Sequence, residues 1–416
     1  MGTAPARGRH GLAPAPSPDG GLAVVPARPS LARPRTRLSS QRAASFVLEH
    51  RWAIGAYVAS RLLLLAVALA DSPLQHRPFG SELTNWDGFW YTMLASRGYP
   101  TQVLHVQTTL GFFPLYPMVM WLVSHVLFVS DAVSGLVVAG VGGLVATLLL
   151  ERLATQWWGP ESARRAVLLF CVFPGSVVFS LDYSEGLLIP LVAGSLLAVT
   201  SRRWLLAGLL AGCATAVGPD ALAIIPAVTL AALLELRAAG WRDASARRAL
   251  LAPLLAPAGI VAFGAFLWVW TGTPFATFDA QRYGWGERTD PLALVNQART
   301  LAGEISLSHF DYHLVNLNLI AGLGGAVVLL VGIVLLFLRP RLVPPAAIAW
   351  SLGIAFLSVT SKYTPPNPRM LLTAFPVVLV LAHRARGRSF RWLAAASTVL
   401  LVVMSAITYV GIALRP

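Results

Sequence analysis

Apolar runs of about 20 residues recur along almost the whole chain, separated by short polar segments. A run of that length can cross a bilayer as an α-helix, which satisfies its own backbone polar groups. The strands of a membrane barrel would instead show short segments of alternating polarity. The pattern therefore predicts an all-α polytopic membrane protein. The predicted spans are 52–70, 132–150, 166–181, 185–200, 203–217, 221–236, 250–270, 317–338, 345–360, 370–383 and 392–411.

Residues 1–45 do not follow this pattern. They are rich in proline, alanine, glycine and arginine and have no apolar periodicity. We predict a disordered cytoplasmic tail there, followed by a transmembrane domain over residues 46–416. The tail is too long and too polar for a secretory signal peptide, so the first apolar run is interpreted as an uncleaved span.

The arginines orient the predicted spans. They cluster in the tail and in short segments between apolar runs, which is typical of loops on the cytoplasmic side. One run, 113–129, breaks the alternation of sides and contains Pro114 and Pro117, so we expect it to lie along the interface or re-enter. That leaves about 11 spans. The predicted outer segments are the loops 71–130 and 271–316, the turns 182–184, 218–220 and 361–369, and the C-terminus.

Composition agrees with this interpretation and limits the function. The 416 residues are 56% hydrophobic and 12% charged, too few charges to cover a water-facing surface, since soluble domains carry roughly a quarter. The net charge of +14 follows from the orienting arginines, so no nucleic-acid partner is predicted. No phosphate-binding loop or dinucleotide fingerprint is present. A substrate that reaches an outer-face site is therefore expected to be carried by lipid.

The segment NWDGFWYTMLASRGYP, residues 85–100, places the carboxylate of Asp87 among aromatic side chains on the predicted outer side. Tryptophan and tyrosine favour membrane interfaces because one end is apolar and the other polar. A carboxylate among them loses hydration, which favours a general-base role. The alternative is that Asn85 or Asp87 only caps a short helix. The aromatic residues concerned are Trp86, Trp90 and Tyr91, with Trp285 in the other long outer loop.

The segment FSLDYSEGLL joins two predicted spans and carries Asp182 and Glu185, three residues apart. On a helix that spacing would place both carboxylates on one face. Such a pair could bind a divalent cation, hold an acceptor sugar or assist a base. The alternative is a solvated turn in which Asp182 is the N-cap residue.

Two further outer turns carry charges. In VGPDALAIIP, Asp220 follows a proline of the kind that a first helical turn tolerates. In SKYTPPNPRMLLTAFP, Arg369 and the chain's single lysine, Lys362, lie outside against the positive-inside tendency. A lipid phosphate is a natural partner, because guanidinium binds phosphate oxygens bidentately. Simple headgroup contact is the alternative.

Metal binding has little support in the sequence. His309, Asp311 and His313 have a spacing that could contribute ligands, but no fourth ligand stands nearby, so a polar loop is preferred. Cys171 and Cys213 both lie in apolar runs and indicate neither a disulfide nor a metal site. We predict no dedicated metal site, and a divalent cation stays an open expectation.

Five segments taken in order resemble the PIG-V-like mannosyltransferases over about residues 50 to 385. They are NWDGFWYTMLASRGYP, FFPLYPM, DYSEGLL, FDAQRYGWGERTDPL and PRMLLTAFPVVLVLA. That family is related to the enzyme that adds the second mannose of the GPI anchor, within the GT-C glycosyltransferases. The resemblance implies a GT-C-type helical bundle with an extracytoplasmic active site. It also implies inverting transfer of mannose from a polyprenyl-phosphate donor to a glycan or lipid acceptor.

The resemblance also implies roles for individual residues. Asp87 matches the first-loop carboxylate that acts as base, and Asp182 and Glu185 match a second acidic element. Arg369 matches a late arginine near the donor phosphate, with Lys362 assisting. The predicted substrate-binding residues are Trp86, Trp90, Tyr91, Tyr183, Gln281, Trp285, Lys362 and Arg369.

The chain departs from that family at one turn, where many relatives carry an arginine before the proline and this chain has Gly218, with Asp220 following. Arginine used almost to the exclusion of lysine indicates a bacterial plasma membrane rather than the endoplasmic reticulum of the eukaryotic relatives. A cell-wall or lipid glycan is then the expected acceptor. The alternative functions are a transporter or flippase, which would favour repeated halves and ionisable groups at the midplane, and an inactive scaffold.

Overall fold

A computed structural model describes most of the chain. The described residues are Gly2, 44–75, Gly80, 82–308, 316–338, 343–362, 365–410 and Leu414. Almost all of the predicted tail, residues 1–45, lies outside them, as do His309, Asp311 and His313. The chain divides into two units, Met1–Glu49 and His50–Pro416, and the elements below belong to the second.

The second unit is helical over its described residues, which confirms the predicted all-α class. The one β-type feature described there is an isolated bridge between Thr289 and Ser361. The α-helices of six or more residues are α1 (Arg51–Gln75), α2 (Asp87–Arg97), α3 (Leu115–Leu127), α4 (Asp131–Trp158), α5 (Pro160–Val172), α6 (Glu185–Thr200), α7 (Trp204–Ala214), α8 (Ile224–Ala239), α9 (Ala258–Thr271), α10 (Ala293–Ser308), α11 (Leu317–Phe337), α12 (Pro345–Thr360), α13 (Pro368–Thr373), α14 (Phe375–Arg384) and α15 (Gly387–Val410). Shorter helical turns are Glu82–Thr84, Thr109–Gly111, Pro174–Ser180, Pro219–Ala223, Ala244–Arg247, Arg248–Leu250, Leu251–Leu255, Ala276–Asp279 and Ala280–Gly284.

Six helical segments of the described chain are long and apolar enough to cross a membrane, so the protein is a multi-pass helical membrane protein. They are Arg51–Asp71, Asp131–Trp158, Pro219–Ala239, Ala244–Thr271, Leu317–Phe337 and Gly387–Val410. A seventh forms if α5 and Pro174–Ser180, which meet at a 70° bend, count as one span. The other four of the expected 11 or so spans coincide with shorter apolar helices, α6, α7, α12 and α14.

Helix α3 is the apolar run whose prolines argued against a full crossing. Pro114 precedes the helix and Pro117 lies in its first turn, where a missing N–H costs nothing. Its 13 residues bury one stripe, formed by Tyr116, Met120 and Ser124, while the opposite face is exposed. Burial on one face at four-residue spacing is typical of a helix that lies on a boundary.

Helices α4 and α6 approach each other through small residues. A Cβ atom on Gly142 would overlap the carbonyl oxygen of Gly186, and one on Gly186 would overlap Ala139. In lipid, helices associate mainly by such close packing, because apolar side chains gain nothing by leaving the lipid tails. The contact fixes the first turn of α6, where Glu185 is the first residue.

A bend between α5 and Pro174–Ser180 determines how the chain enters α6. Phe173 has extended backbone, as expected before a proline, and Pro174 has no N–H to continue the helix. Just after the bend, a Cβ atom on Gly175 would overlap the carbonyl oxygen of Pro368. The bend therefore packs directly on the start of α13.

Helix α13 is short but is held at both ends. Its N-cap residue, Asn367, accepts a hydrogen bond from the backbone N–H of Met370 at 3.0 Å, and Pro368 occupies the first position. At the other end, the buried indole of Trp350 donates to the carbonyl of Thr373 at 2.9 Å. These contacts fix the helix that carries Arg369.

The two long predicted outer loops pack on each other through a small second core. Its members are Leu110, Phe113, Phe263, Leu267, Ala276 and Ala280. Beyond it, the amide of Gln281 donates to the carbonyl of Gly111 at 2.7 Å. On the other side, the backbone N–H of Asp290 donates to the carbonyl of Thr360 at 2.7 Å. The loop after α9 is thus tied both to the segment after α2 and to the end of α12.

Candidate active site

Asp87 and Arg369, 282 residues apart in the sequence, form an ion pair where two helices begin. The Arg369 Nη1 donates to Oδ2 of Asp87 at 2.5 Å. Asp87 is the first residue of α2, and Arg369 is the second residue of α13. The side chains are 30% and 15% exposed, so the pair is accessible mainly from the Asp87 side.

The capping hypothesis for Asp87 is wrong. The N-cap position of α2 is Trp86, which makes no side-chain capping hydrogen bond, and the Asp87 carboxylate pairs with Arg369 instead. Trp86 has a φ of 59°, a left-handed conformation that is unusual for a bulky residue. Backbone strain of this kind is concentrated at functional sites, and here it immediately precedes the carboxylate.

Glu185 is a second carboxylate on the same guanidinium. Its Oε1 lies 3.4 Å from Nε of Arg369, and its side chain is 5% exposed. The other oxygen, Oε2, is buried and has no hydrogen-bond partner among the described residues. A buried carboxylate is costly unless it is paired, so Arg369 is what stabilises Glu185. Burial alone would lower the pKa of Arg369, but Glu185 and Asp87 raise it well above its usual value, and the guanidinium stays charged.

Tyr183 completes this group. The guanidinium carbon of Arg369 lies 5.4 Å from the centre of its ring, within cation–π range. Its hydroxyl accepts from the backbone N–H of Asp87 at 3.4 Å. Burial raises the pKa of Tyr183 well above its usual value, so the hydroxyl keeps its proton. Arg369, Asp87, Glu185 and Tyr183 are called the Arg369 cluster below.

Asp182 has a separate environment. Its carboxylate accepts hydrogen bonds from the hydroxyls of Tyr116 at 2.8 Å and Thr92 at 2.9 Å. The residue is fully buried, and a Cβ atom on Gly135 would overlap the carboxylate. Burial raises the pKa of Asp182 to about 7, although both hydroxyls act in the opposite direction. Asp182, Tyr116, Thr92 and Gly135 are called the Asp182 pocket.

The two carboxylates of the predicted acidic element therefore do not share a helix face. Helix α6 begins at Glu185 with Ser184 as its N-cap residue, so Asp182 lies in the turn before it. The solvated-turn alternative is wrong as well, because Asp182 and Glu185 are both buried. Of the two, it is Glu185 that pairs with Arg369.

Asp220 was not predicted as a site residue, but its position connects it to the Arg369 cluster. It lies half-buried in the turn Pro219–Ala223, and its charge interacts with those of Arg369, Asp87 and Glu287. Asp87 and Glu185 form ion pairs with the guanidinium, and Asp220 adds a further negative charge nearby. The signal in the sequence that could have found it was an acidic residue directly after a proline in a short turn between two apolar runs.

The predicted aromatic residues form a cluster that joins the two outer loops. The Trp90 ring lies 5.1 Å from that of Trp285 and 6.2 Å from that of Phe112, measured between centroids. Gly111 leaves room for Trp285, since a Cβ atom there would lie 2.8 Å from its indole nitrogen. The rings of Trp90 and Trp285 are half-buried, which leaves part of their surface available for stacking.

The other predicted binding residues differ in exposure. Tyr91 and Tyr183 are buried, so their rings present almost no surface to a substrate. The hydroxyl of Tyr91 donates to that of Ser184 at 2.9 Å. Trp86 and Gln281 are half-buried. A stacking role in substrate binding is therefore better suited to Trp90 and the other half-buried side chains than to Tyr91.

Lys362 lies at the end of α12 and contacts the outer loop rather than Arg369. Its backbone N–H donates to the carbonyl of Arg288 at 3.0 Å and to Oε1 of Glu287 at 3.2 Å. The residue is exposed. In the described part of the chain, no ion pair joins it to Asp87 or Glu185.

No group of three or more His, Cys, Asp or Glu side chains is arranged to hold a metal ion within the described residues. Carboxylate oxygens are the ligands that hard divalent cations prefer, and Asp87 and Glu185 supply this type of ligand. The divalent cation that the sequence left open stays a prediction.

No protein-family model and no curated protein matches this sequence. Among solved structures, the chain is similar to the apo oligosaccharyltransferase of Archaeoglobus fulgidus, with a TM-score of 0.49 and 13% identity over 86% of this chain. It is similar to ArnT of Cupriavidus metallidurans bound to undecaprenyl phosphate, with a TM-score of 0.48 and 15% identity over 83%. It is also similar to the A. fulgidus oligosaccharyltransferase AglB in complex with an inhibitory peptide and a dolichol-phosphate, with a TM-score of 0.43 and 12% identity over 87%.

The chain spans 56% of the length of the first of these proteins and 62% of the second. Likeness at this level of score and identity assigns neither a family nor an activity to the chain. The Arg369 cluster and the motifs around it therefore carry the functional inference.

Proposed function

We propose that this protein is a GT-C-type membrane glycosyltransferase that transfers mannose from a polyprenyl-phosphate donor to a glycan or lipid acceptor. Transfer takes place on the extracytoplasmic face of a bacterial plasma membrane and inverts the anomeric carbon. The observation that carries the proposal is the Arg369 cluster, which joins a partly exposed carboxylate to a charged guanidinium. A base and a phosphate-binding cation are the two groups that this reaction needs from the protein.

Helix N-termini lie beside both carboxylates of the cluster. Asp87 and Glu185 occupy the first turns of α2 and α6. The positive end of a helix dipole stabilises an anion in that position. Both carboxylates thus lie next to Arg369 at the ends of helices.

The chemistry divides between Asp87 and Arg369. The donor is already activated, because phosphate leaves without needing a proton. Asp87 accepts the proton of the acceptor hydroxyl as its oxygen forms a bond to the anomeric carbon from the opposite face. The bond between that carbon and the phosphate oxygen breaks, its electron pair stays on the phosphate, and Arg369 stabilises the developing charge.

Donor binding should also release Asp87 from its ion pair with Arg369. Arg369 Nη1 is bonded to Asp87 in the structure described here. A donor phosphate competes for the same guanidinium, because arginine binds phosphate oxygens bidentately. Donor binding then releases the Asp87 carboxylate to accept a proton, so the base becomes active only when a donor is present.

Nearby side chains hold the donor and the acceptor in line. Holding two reactants in the reactive geometry increases the rate. In this proposal, Trp90 and Trp285 pack against sugar faces, with Trp86 and Gln281 beside them. Lys362, at the end of α12, assists with the donor phosphate as it approaches. Glu185 keeps Arg369 in place from the buried side.

The test uses membranes that contain the parental protein or Asp87→Asn, incubated with radiolabelled polyprenyl-phosphate-mannose. General-base catalysis is typically worth about 10²–10⁴-fold, so we expect Asp87→Asn to lose at least about a hundredfold in transfer while it inserts and folds. Asp290→Asn is the matched control, because Asp290 is an outer-loop carboxylate bonded to Leu292 and Asn296. Transfer at the parental rate by Asp87→Asn would remove Asp87 from the mechanism.

The same assay separates the proposal from its alternatives. Incorporation of label into an acceptor supports a transferase. Movement of labelled lipid across the bilayer without incorporation would identify a flippase, and neither outcome in the parental protein would identify an inactive scaffold. The acceptor itself is found by asking which glycan disappears in a deletion strain.

A further inference from the structure

Arg61 is a charged residue within α1, a helix long and apolar enough to cross a membrane. Ionisable residues in such positions are costly, so they are rare and are kept for a specific partner or function. The proposed chemistry gives Arg61 no role. Its partners show what it does.

Arg61 donates to the bend between α5 and Pro174–Ser180. Its Nη1 lies 2.6 Å from the carbonyl oxygen of Ser176 and 3.0 Å from the hydroxyl of Ser180. Its Nη2 lies 3.3 Å from the carbonyl oxygen of Cys171 and 3.1 Å from the Ser176 hydroxyl. Among the described residues, no ion pair joins Arg61 to an acidic side chain.

The bend explains why these acceptors are available. The last carbonyl groups of a helix have no intrahelical partner, and Cys171 lies in the last turn of α5. Pro174 cannot donate to them because it has no N–H. A guanidinium presents its donors in a fixed planar fork, so one arginine can hold both sides of the bend. The aromatic rings of Tyr57 and Phe179 flank it, with centroids 5.2 and 5.8 Å from the guanidinium carbon.

The bend is in direct backbone contact with the Arg369 cluster. A Cβ atom on Gly175 would overlap the carbonyl of Pro368 and lie 3.0 Å from the backbone nitrogen of Arg369. Three residues after Ser180, the same chain segment supplies Tyr183, whose ring lies beneath Arg369. Movement of the bend would therefore shift both the backbone and the ring that orient the guanidinium.

We infer that Arg61 is a positioning residue, which ties Cys171 to Ser176 and Ser180 and so holds the bend against α13 in the place that Arg369 requires. The expected effect of Arg61 on the transfer rate rests on the proposed function. Its effect on the packing of the bend against α13 does not. A misplacement of about 1 Å can cost about a hundredfold in rate. Arg61 acts on the reaction only through Arg369.

The first test is a double-mutant cycle on mannose transfer. We expect Arg61→Gln to lower kcat by about 10- to 100-fold. In an Arg369→Lys background, the same change should cost less than about twofold more, because the residue through which it acts is already altered. Arg61→Lys should not restore the rate, since an ammonium lacks the planar fork.

Arg164→Gln is the matched control. Arg164 also lies over an aromatic ring, that of Trp52, with its guanidinium carbon 5.8 Å from the centroid, and removing it makes the same change in charge. Arg164→Gln should lower kcat only slightly. In the Arg369→Lys background it should lower kcat by the same factor as in the parental protein, because the two residues act independently. The inference would be overturned if Arg61→Gln lowered kcat by the same factor in both backgrounds, or if Arg61→Lys restored the full rate. Either result would leave the proposed function intact.

A second measurement does not depend on activity. Ser180→Ala removes one acceptor of the guanidinium and is a milder change than Arg61→Gln. In lipid nanodiscs, both variants should raise deuterium uptake in residues 172–183 and in residues 366–373 together. Faster exchange in 172–183 alone would show that the bend and α13 are uncoupled, and would overturn the inference. If the parental protein transfers no sugar, the proposed function fails and the exchange result still decides whether Arg61 positions α13.

Discussion

Asp182 and Glu185 are neighbours in the sequence, but their carboxylates have different partners. Glu185 lies 3.4 Å from a permanently charged guanidinium and keeps one oxygen without a hydrogen bond. Asp182 is fully buried among neutral groups, with one hydroxyl on each oxygen. An adjacent opposite charge compensates the buried carboxylate of Glu185, whereas at Asp182 two neutral hydroxyls do so.

This difference separates a site suited to chemistry from one suited to folding. The Arg369 cluster contains an ion pair whose Asp87 side chain is 30% exposed, so a substrate could compete for it. In the Asp182 pocket, Asp182 and Tyr116 are fully buried, and the four groups connect α2, α3 and α4 to the turn before α6. We therefore expect changes in the cluster to affect transfer, whether or not they also affect stability, and changes in the pocket to affect the free energy of unfolding but not transfer per folded molecule.

The largest effect is expected for Arg369→Met. It leaves Glu185 as a buried carboxylate without its cation, and removing one partner of a buried ion pair typically costs about 3–5 kcal/mol. Transfer should be lost as well, because no other group in the cluster stabilises the phosphate. The measurements are thermal unfolding in detergent and label transfer in membranes.

Arg97→Met provides the comparison for that change. Arg97 lies in the last turn of α2 and is exposed, so the same substitution removes a charge without uncovering a buried carboxylate. An unfolding free energy for Arg369→Met within about 0.5 kcal/mol of that for Arg97→Met would contradict the buried pair.

The sequence predicted the helices better than the contacts between them. Hydropathy predicted six or seven of the spans correctly, because a bilayer requires long apolar helices regardless of partner, while four other predicted spans are shorter apolar helices. The arginine distribution predicted that Asp87 and Arg369 lie on the same outer side, which is why these residues could be proposed together. Their 2.5 Å contact depends on the Gly175 packing and on the Asn367 cap, neither of which local sequence pattern reports.

The sequence could not separate Asp182 from Glu185. The spacing rule assumes that both residues are helical, but the first residue of α6 is Glu185 itself. A helix boundary is uncertain by one or two residues in a sequence, and that error decides which carboxylate reaches the guanidinium. Asp220 was missed for a similar reason, since a turn residue gives no sign of the distant charges that meet it.

The Asp182 carboxyl should make the free energy of unfolding depend on pH. Burial raises the pKa of Asp182 to about 7 in the folded protein, whereas an unfolded aspartate has a pKa near 3.9. Between these values the folded state holds a proton that the unfolded state has lost. The contribution of Asp182 to stability is therefore full below about pH 4 and falls by about 1.4 kcal/mol for each unit up to about pH 7.

Asp182→Asn should remove this slope, because asparagine has the same shape and stays neutral. The measurement is the difference in unfolding free energy between parental protein and variant at pH 5 and at pH 8. Asp290→Asn, a partly exposed outer carboxylate, should leave the slope in place. Parallel curves for Asp182→Asn and the parental protein would show that Asp182 is not protonated preferentially in the folded state.

A third, smaller effect is expected for Gly135→Ala. The added Cβ would overlap the Asp182 carboxylate, and forcing extra atoms into a packed site typically costs about 1–3 kcal/mol. Transfer per folded molecule should be unchanged, because α4 makes no contact with Arg369 through this residue. Gly55→Ala is the control, since a Cβ atom there meets nothing within 4 Å. Equal stability of the two variants would contradict the tight pocket.

The smallest effect is expected for Tyr116→Phe, which distinguishes the Asp182 pocket from the Arg369 cluster most directly. Tyr116→Phe removes the hydroxyl that donates to Asp182 at 2.8 Å and so removes an influence that lowers the pKa of that carboxyl. One hydrogen bond is worth about 1 kcal/mol, so the pKa should rise by about 0.7 units and the falling part of the stability curve should extend to higher pH. Tyr91→Phe removes a buried hydroxyl bonded to Ser184 and should leave that curve in place.

The two phenylalanine variants also test where the chemistry lies. A shifted curve for Tyr116→Phe, with transfer per folded molecule unchanged, means that the pocket supports folding and that the Arg369 cluster alone handles the substrates. A fall in transfer without a shift in the curve would contradict this division. Tyr116 and Asp182 would then have to act on the reacting groups, and the partition of the two neighbouring carboxylates between chemistry and folding would be wrong.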